Sequence, residues 1–133
     1  MHHRLELDRG EAERLVGAET FAALEETFDT GLPTSSASPP HTMIVVRRCV
    51  KRGQLIPFHT DHSKRTLQVA LNGDDEYKGG RLVFATASGL RTPRRAAGTA
   101  TLHDCTVAHG VTALLSGARY GFFLLAVPPT YEL

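Results

Sequence analysis

The chain has 133 residues, a length that suits one domain built on one core. At 41% hydrophobic and 22% charged, with a formal net charge of +1, it has an ordinary globular composition and none of the basic excess that nucleic acid or an acidic membrane would favour as partner. Cys49 and Cys105 lack disulfide-type spacing and read as reduced thiols. No run is long and apolar enough to span a bilayer, and no apolar stretch follows Met1-His2-His3-Arg4, so a cytoplasmic protein without signal peptide or membrane span is expected.

Residues 4–8 suit a short strand. Asp8-Arg9-Gly10-Glu11 then has the form of a helix start, with Asp8 as N-cap and Glu11 three residues on. One helix over residues 8–28 follows, with Leu15, Ala18, Phe21, Ala22, Leu24 and Phe28 on one broad side, as for a support packed outside a sheet. Residues 30–42 hold prolines, serines and a glycine and read as a loop, with a lid or substrate-contact segment favoured over a plain connector.

From Met43 the pattern changes to short β-rich runs: Met43–Val50, Gln54–Asp61, Arg65–Leu71, a hairpin into Arg81–Ala85, a short piece at Thr92–Arg95, then Thr99–His103, His109–Leu115 and Tyr120–Val127. Eight short strands at this spacing predict a mainly β fold, a jelly roll of two antiparallel sheets over residues 43–128. The whole of 1–133 then forms a single domain with one N-terminal supporting α-helix.

Within this pattern Pro57-Phe58-His59-Thr60-Asp61-His62 carries the chemistry. Side chains two apart on an extended segment share a face, so His59 and Asp61 project together. An imidazole beside a carboxylate suits a divalent metal, and two histidines with one carboxylate make the ligand set of non-haem Fe(II) oxygenases. His109, in Val107-Ala108-His109-Gly110-Val111, supplies the second histidine from a later strand, and Arg119 stands ten residues beyond it. His62 should point away from the shared face. His103 and Asp104 read as a polar pair at a strand end, outside the ligand order.

His59-x-Asp61, then His109, then Arg119 resembles the iron(II)- and 2-oxoglutarate-dependent dioxygenases, and the prolyl 4-hydroxylase-like branch in particular. The strand Thr66–Asn72 and the aromatic-x-Gly-Gly-x-Leu-x-Phe stretch Tyr77–Phe84 extend the resemblance over roughly residues 43–128. It implies an oxidoreductase in which His59, Asp61 and His109 hold Fe(II) and 2-oxoglutarate and O2 become succinate and CO2 as a C–H bond is hydroxylated, with ascorbate as an optional reductant. A protein, peptide (prolyl included) or small molecule would be the substrate. The resemblance gives Arg119 the remote carboxylate of 2-oxoglutarate. Relatives often carry tyrosines where this chain has Cys49 or Val50 and Ala70, so Gln68, or else Thr66 on the same strand face, is expected to supply the missing hydrogen bond. Two other functions stand beside the hydroxylase. A non-catalytic jelly-roll binding domain would not need all four site residues, and a nucleobase demethylase would carry a second arginine that Tyr120–Val127 lacks.

Overall fold

The computed structural model describes residues 2–30 and 41–128, which form eleven strands and two helices. Strand β1 (His2–Leu7) runs into α1 (Arg9–Val16) and α2 (Ala18–Asp29). Asp8 caps α1: its carboxylate accepts the Glu11 backbone N–H at 2.8 Å, while the Glu11 carboxylate accepts that of Asp8 at 3.0 Å. The expected single helix is two, because Gly17 sits at φ 91° between them, a conformation that ends the α-helical ladder. A periodicity counted across Gly17 therefore misassigns one face. Ala12, Phe21 and Phe28 are buried, while Leu15 stays 54% exposed.

The strands follow in order as β2 (His41–Cys49), β3 (Ile56–His59), β4 (Arg65–Ala70), β5 (Tyr77–Gly79), β6 (Leu82–Thr86), β7 (Gly89–Arg91), β8 (Ala100–Asp104), β9 (His109–Val111), β10 (Leu114–Gly117) and β11 (Arg119–Val127). They pair antiparallel throughout, in a five-stranded sheet β1-β2-β11-β4-β8, a four-stranded sheet β3-β9-β6-β7 and a two-stranded ribbon β10-β5. The fold class is the mainly β jelly roll expected, with more strands than eight. Tyr77–Gly79 pairs with β10 and not with β6, so the Gly-Gly stretch is no simple hairpin. Thr92–Arg95 is not a strand, and His109–Leu115 divides into β9 and β10. Most of the expected loop, residues 31–40, lies outside the described residues.

Strands β2 and β11 are apolar on both faces, and their side chains alternate between two layers. Ile44, Phe122, Leu124 and Ala126 join Leu67, Val69 and the helix residues Ala12, Phe21 and Phe28 in one core. Met43, Val45, Phe123, Leu125 and Val127 form a second cluster on the opposite face. The helices therefore brace the five-stranded sheet from behind and leave its other face to the site.

Gly79, at φ 69°, joins the ribbon to β6, and a Cβ there would collide with the Ala113 carbonyl oxygen. Gly79→Ala combines left-handed strain with an overpacked backbone contact and is expected to cost about 3 kcal/mol, read as a lower denaturant midpoint at unchanged slope.

Candidate metal centre

Strand β3 ends at His59, and Asp61 lies just beyond it. Strand β9 lies against β3 with His109 opposite His59. Gly110 permits this approach, since a Cβ there would stand 2.8 Å from the Ile56 carbonyl oxygen and 3.2 Å from the Phe58 nitrogen. One close strand crossing thus brings residues fifty positions apart together (59 to 109).

The ligand atoms of His59, Asp61 and His109 all lie within 4.8 Å of one another. The Nε2 atoms of His59 and His109 are each 3.3 Å from the same carboxylate oxygen, Asp61 Oδ1. Their Nδ1 atoms face backbone carbonyls, His59 toward Pro57 O at 2.8 Å and His109 toward Val107 O at 3.0 Å. A carbonyl accepts and cannot donate, so each Nδ1 carries a proton; Nε2 donates to Asp61 when the ring is protonated and presents a lone pair to the centre when it is neutral. With both rings neutral, two imidazole lone pairs and one carboxylate oxygen converging on one point fit a divalent transition metal, with the histidine tautomers set in advance.

Asp61 is held from its other side. Thr66 Oγ1 donates to Asp61 Oδ2 at 2.7 Å, and His103 Nε2 lies 3.0 Å from the same oxygen. Ser63 Oγ in turn lies 2.8 Å from Thr66 Oγ1. Oδ2 is thereby occupied and Oδ1 left for the metal. Burial would raise the Asp61 carboxyl, but the hydrogen bonds from His103, His109 and Thr66 outweigh it and hold it well below the usual carboxylate range. Burial lowers the His109 pKa, but the hydrogen bonds that His109 makes to Asp61 and to the Val107 carbonyl overcome it, so its pKa is raised.

The sequence suggests His103 as a partner of Asp104. Instead Asp104 accepts from the Thr106 backbone and hydroxyl, and His103 turns inward, buried, with its ring centroid 4.4 Å from that of His109. The signal that could have found it is register: Thr66 and His103 are direct partners across β4 and β8. His62 is exposed and outside the His-Asp-His group.

These residues open into a cavity of about 260 Å³, also lined by Thr66, Gln68 and Arg119. Arg119 and Gln68 are both buried, and Arg119 Nη2 donates to Gln68 Oε1 at 2.9 Å. A guanidinium only donates, so the Gln68 carbonyl must face it and the Gln68 NH2 points elsewhere. Burial lowers the Arg119 pKa against the opposing influence of Tyr77 and Cys49. Arg95 lies close by in the loop before β8 and is also buried. Burial and then the Arg119 charge bring it down to about 10, and its Nη1 and Nη2 have no hydrogen-bond partner among the described residues. Thr66 reaches Asp61, and Gln68 reaches Arg119. The two residues on one strand face thus serve opposite ends of the cavity.

At the level of sequence no protein-family model and no curated protein matches the chain. Solved structures do. An oxidoreductase of the 2OG-Fe(II) oxygenase family from Burkholderia pseudomallei superposes with a TM-score of 0.64 at 14% identity, covering 93% of this chain and 66% of that one. A prolyl-4-hydroxylase from Pseudomonas putida gives 0.71 at 16% identity, covering 96% and 72%. A prolyl hydroxylase from Trichoplax adhaerens, in complex with a hypoxia inducible factor peptide fragment, gives 0.71 at 13% identity, covering 95% and 62%. The chain thus has the fold of the 2OG-Fe(II) oxygenases and prolyl 4-hydroxylases, while spanning less than two thirds of the first and third of these structures. No helix among the described residues is long and apolar enough to cross a membrane.

Proposed function

We propose that this chain is an Fe(II)- and 2-oxoglutarate-dependent dioxygenase that hydroxylates a C–H bond of a protein, peptide or small-molecule substrate. The observation that carries the reading is the convergence of the Nε2 atoms of two histidines with one oxygen of Asp61, in a cavity that also reaches the buried cation Arg119. When bound, Fe(II) with 2-oxoglutarate supplies the oxidising chemistry with O2, and succinate and CO2 leave.

The chain's own residues position and orient. Pro57 O and Val107 O fix the tautomers of His59 and His109. Thr66 and His103 clamp Asp61 Oδ2, so Asp61 is presented as a ligand through one oxygen. Arg119 would grip the remote carboxylate of 2-oxoglutarate bidentately, oriented by the Gln68 carbonyl, while the Gln68 NH2 would add a donor. The Arg95 guanidinium beside it, whose Nη1 and Nη2 lack a hydrogen-bond partner among the described residues, would add positive charge where the absent tyrosines leave the carboxylate short of donors. Two unbridged cysteines and a metal that must stay reduced suit a cytoplasmic setting.

The test is uncoupled turnover: protein with Fe(II), ascorbate and O2 should slowly convert 2-oxoglutarate to succinate without added substrate. Absence of succinate while metal and 2-oxoglutarate are bound would favour a binding domain that keeps the site. The clamp gives a separate expectation. His103→Leu should weaken Mn(II) binding by about 10- to 100-fold, the usual effect of losing a partner that orients a ligand, and leave the three ligands in place. Titration by electron paramagnetic resonance measures it.

A further inference from the structure

His103 lines a second groove as well as the metal cavity. The five-stranded sheet ends on β8 and the four-stranded sheet on β7, and a groove of about 550 Å³ is lined from these two edges and from β6. That volume falls within the roughly 300–1,000 Å³ of small-molecule sites. Phe84, Pro93, Leu102 and Val107 make most of the wall apolar, and Leu102 stays 43% exposed there. Thr101 also lines the groove and lies two residues from His103 on β8, so the two share a face. Thr101 Oγ1 and His103 Nδ1 are both buried without a hydrogen-bond partner among the described residues. Buried polar atoms are rarely left so. His103 is 8% exposed, and its Nε2 must donate to Asp61, because an ionised carboxylate only accepts. Nδ1 is therefore the ring's one unused polar atom. On β7, Arg91 is exposed, donates to the Ser88 hydroxyl and forms no ion pair among the described residues. No acidic residue lines the groove.

We propose that this groove is a second ligand site, for a small apolar hydroxy acid, and that its occupant acts on the metal centre through His103. The hydroxyl goes to Thr101 and His103. A hydroxyl both donates and accepts, so one group can satisfy Thr101 Oγ1 and His103 Nδ1 together, whichever role each takes. The apolar body lies against Phe84 and Leu102, and the carboxylate faces Arg91, the one charged lining residue. The route to the metal is short. The Phe84 ring meets His103 edge-on at 5.3 Å and lies 5.9 Å from His109, while His103 holds Asp61 Oδ2. An occupant packed on His103 and Phe84 thus keeps the His103 ring in the orientation that clamps Asp61. Acid and metal should therefore strengthen each other by the same factor. The site itself does not depend on the dioxygenase reading.

The experiment titrates the full isotope-labelled chain with para-hydroxyphenylacetate and para-hydroxyphenylpropanoate, each compared with its analogue lacking the hydroxyl and with its primary amide. Backbone amide shifts should move at Phe84, Thr101 and Leu102 and stay in place at Gln68 and Arg119. Loss of the hydroxyl should weaken binding by about tenfold, and Thr101→Val should remove that preference. Arg91→Gln should weaken the acids about three- to fivefold, the usual range for an exposed charge pair, and leave the amides unchanged. A saturating acid should tighten Mn(II) binding, read by electron paramagnetic resonance, about fivefold in the unmodified chain and not at all in His103→Leu. Shifts at none of the three groove residues, shifts at Gln68 and Arg119 instead, or a hydroxyl preference that survives in Thr101→Val overturns the ligand site. Mn(II) affinity that ignores the acid, or responds equally in His103→Leu, overturns the coupling. Each of these results leaves the dioxygenase reading standing, whereas that reading falls if the chain binds the acids but neither Mn(II) nor 2-oxoglutarate.

Discussion

Stoichiometric Mn(II) binding is expected to vanish in His109→Ala and in His59→Ala, and to persist in His62→Ala. Both imidazoles present Nε2 to the same Asp61 oxygen at 3.3 Å, so either alanine removes one of three protein donors and leaves an incomplete set. The loss should exceed the ~10- to 100-fold that follows when an orienting partner is removed. The two variants should differ in stability. His59 is 43% exposed and His109 is 8% exposed, packed between the rings of His59 and His103. His109→Ala therefore opens a cavity as well as the coordination sphere and should lower the denaturation midpoint more. Mn(II) binding that survives in both variants removes the assignment. Binding lost in His62→Ala as well would mean that the centre is built differently.

The expected ligand group was legible because its signal is local and typed. His59 and Asp61 are two apart, and the same parity that puts Thr66 and Gln68 on one face of β4 is kept in the fold. Their depth was not legible. Parity says that both side chains face the cavity, but only the pairing of β4 with β8 and β11 puts Thr66 beside Asp61 and Gln68 beside Arg119. His103 was missed for the same reason. It is forty-two residues from Asp61, and nothing in its neighbourhood distinguishes it from a surface histidine.

The strands were legible from alternation and β-branched content, yet their partners were not. Tyr77–Gly79 is adjacent in sequence to β6 but pairs with β10, because the positive φ at Gly79 and Gly80 turns the chain out of a hairpin path. The helix break had a visible cause in Gly17. A lone glycine costs a helix only about 1 kcal/mol, which is too little to end one on sequence grounds. What decides it is that Phe21 and Phe28 reach the sheet while Leu15 does not.

Arg119→Ala is expected to weaken 2-oxoglutarate binding more than any other change at the closed end of the cavity. Removing the charged partner of a desolvated carboxylate costs about 2–5 kcal/mol, or roughly thirtyfold to several thousandfold in affinity. Gln68→Leu removes one hydrogen bond to a charged group, about 1.5–3 kcal/mol, and so about ten- to a hundredfold. Gln68 also orients Arg119 through the 2.9 Å contact, so the double variant should cost less than the sum of the two. Metal affinity should not move in either, because neither side chain touches Asp61 or the histidines among the contacts of the site. Stability separates the roles further. The unliganded chain holds the Arg119 guanidinium buried, with Nε lacking a hydrogen-bond partner among the described residues and Arg95 close by. Losing an uncompensated buried charge offsets the packing lost, so Arg119→Ala should unfold near the midpoint of the unmodified chain. Calorimetric titration of 2-oxoglutarate into Mn(II)-loaded protein measures both variants. An unchanged constant in Gln68→Leu gives the second hydrogen bond to another group, with Arg95 next in line. An unchanged constant in Arg119→Ala moves the cosubstrate out of this end of the cavity altogether.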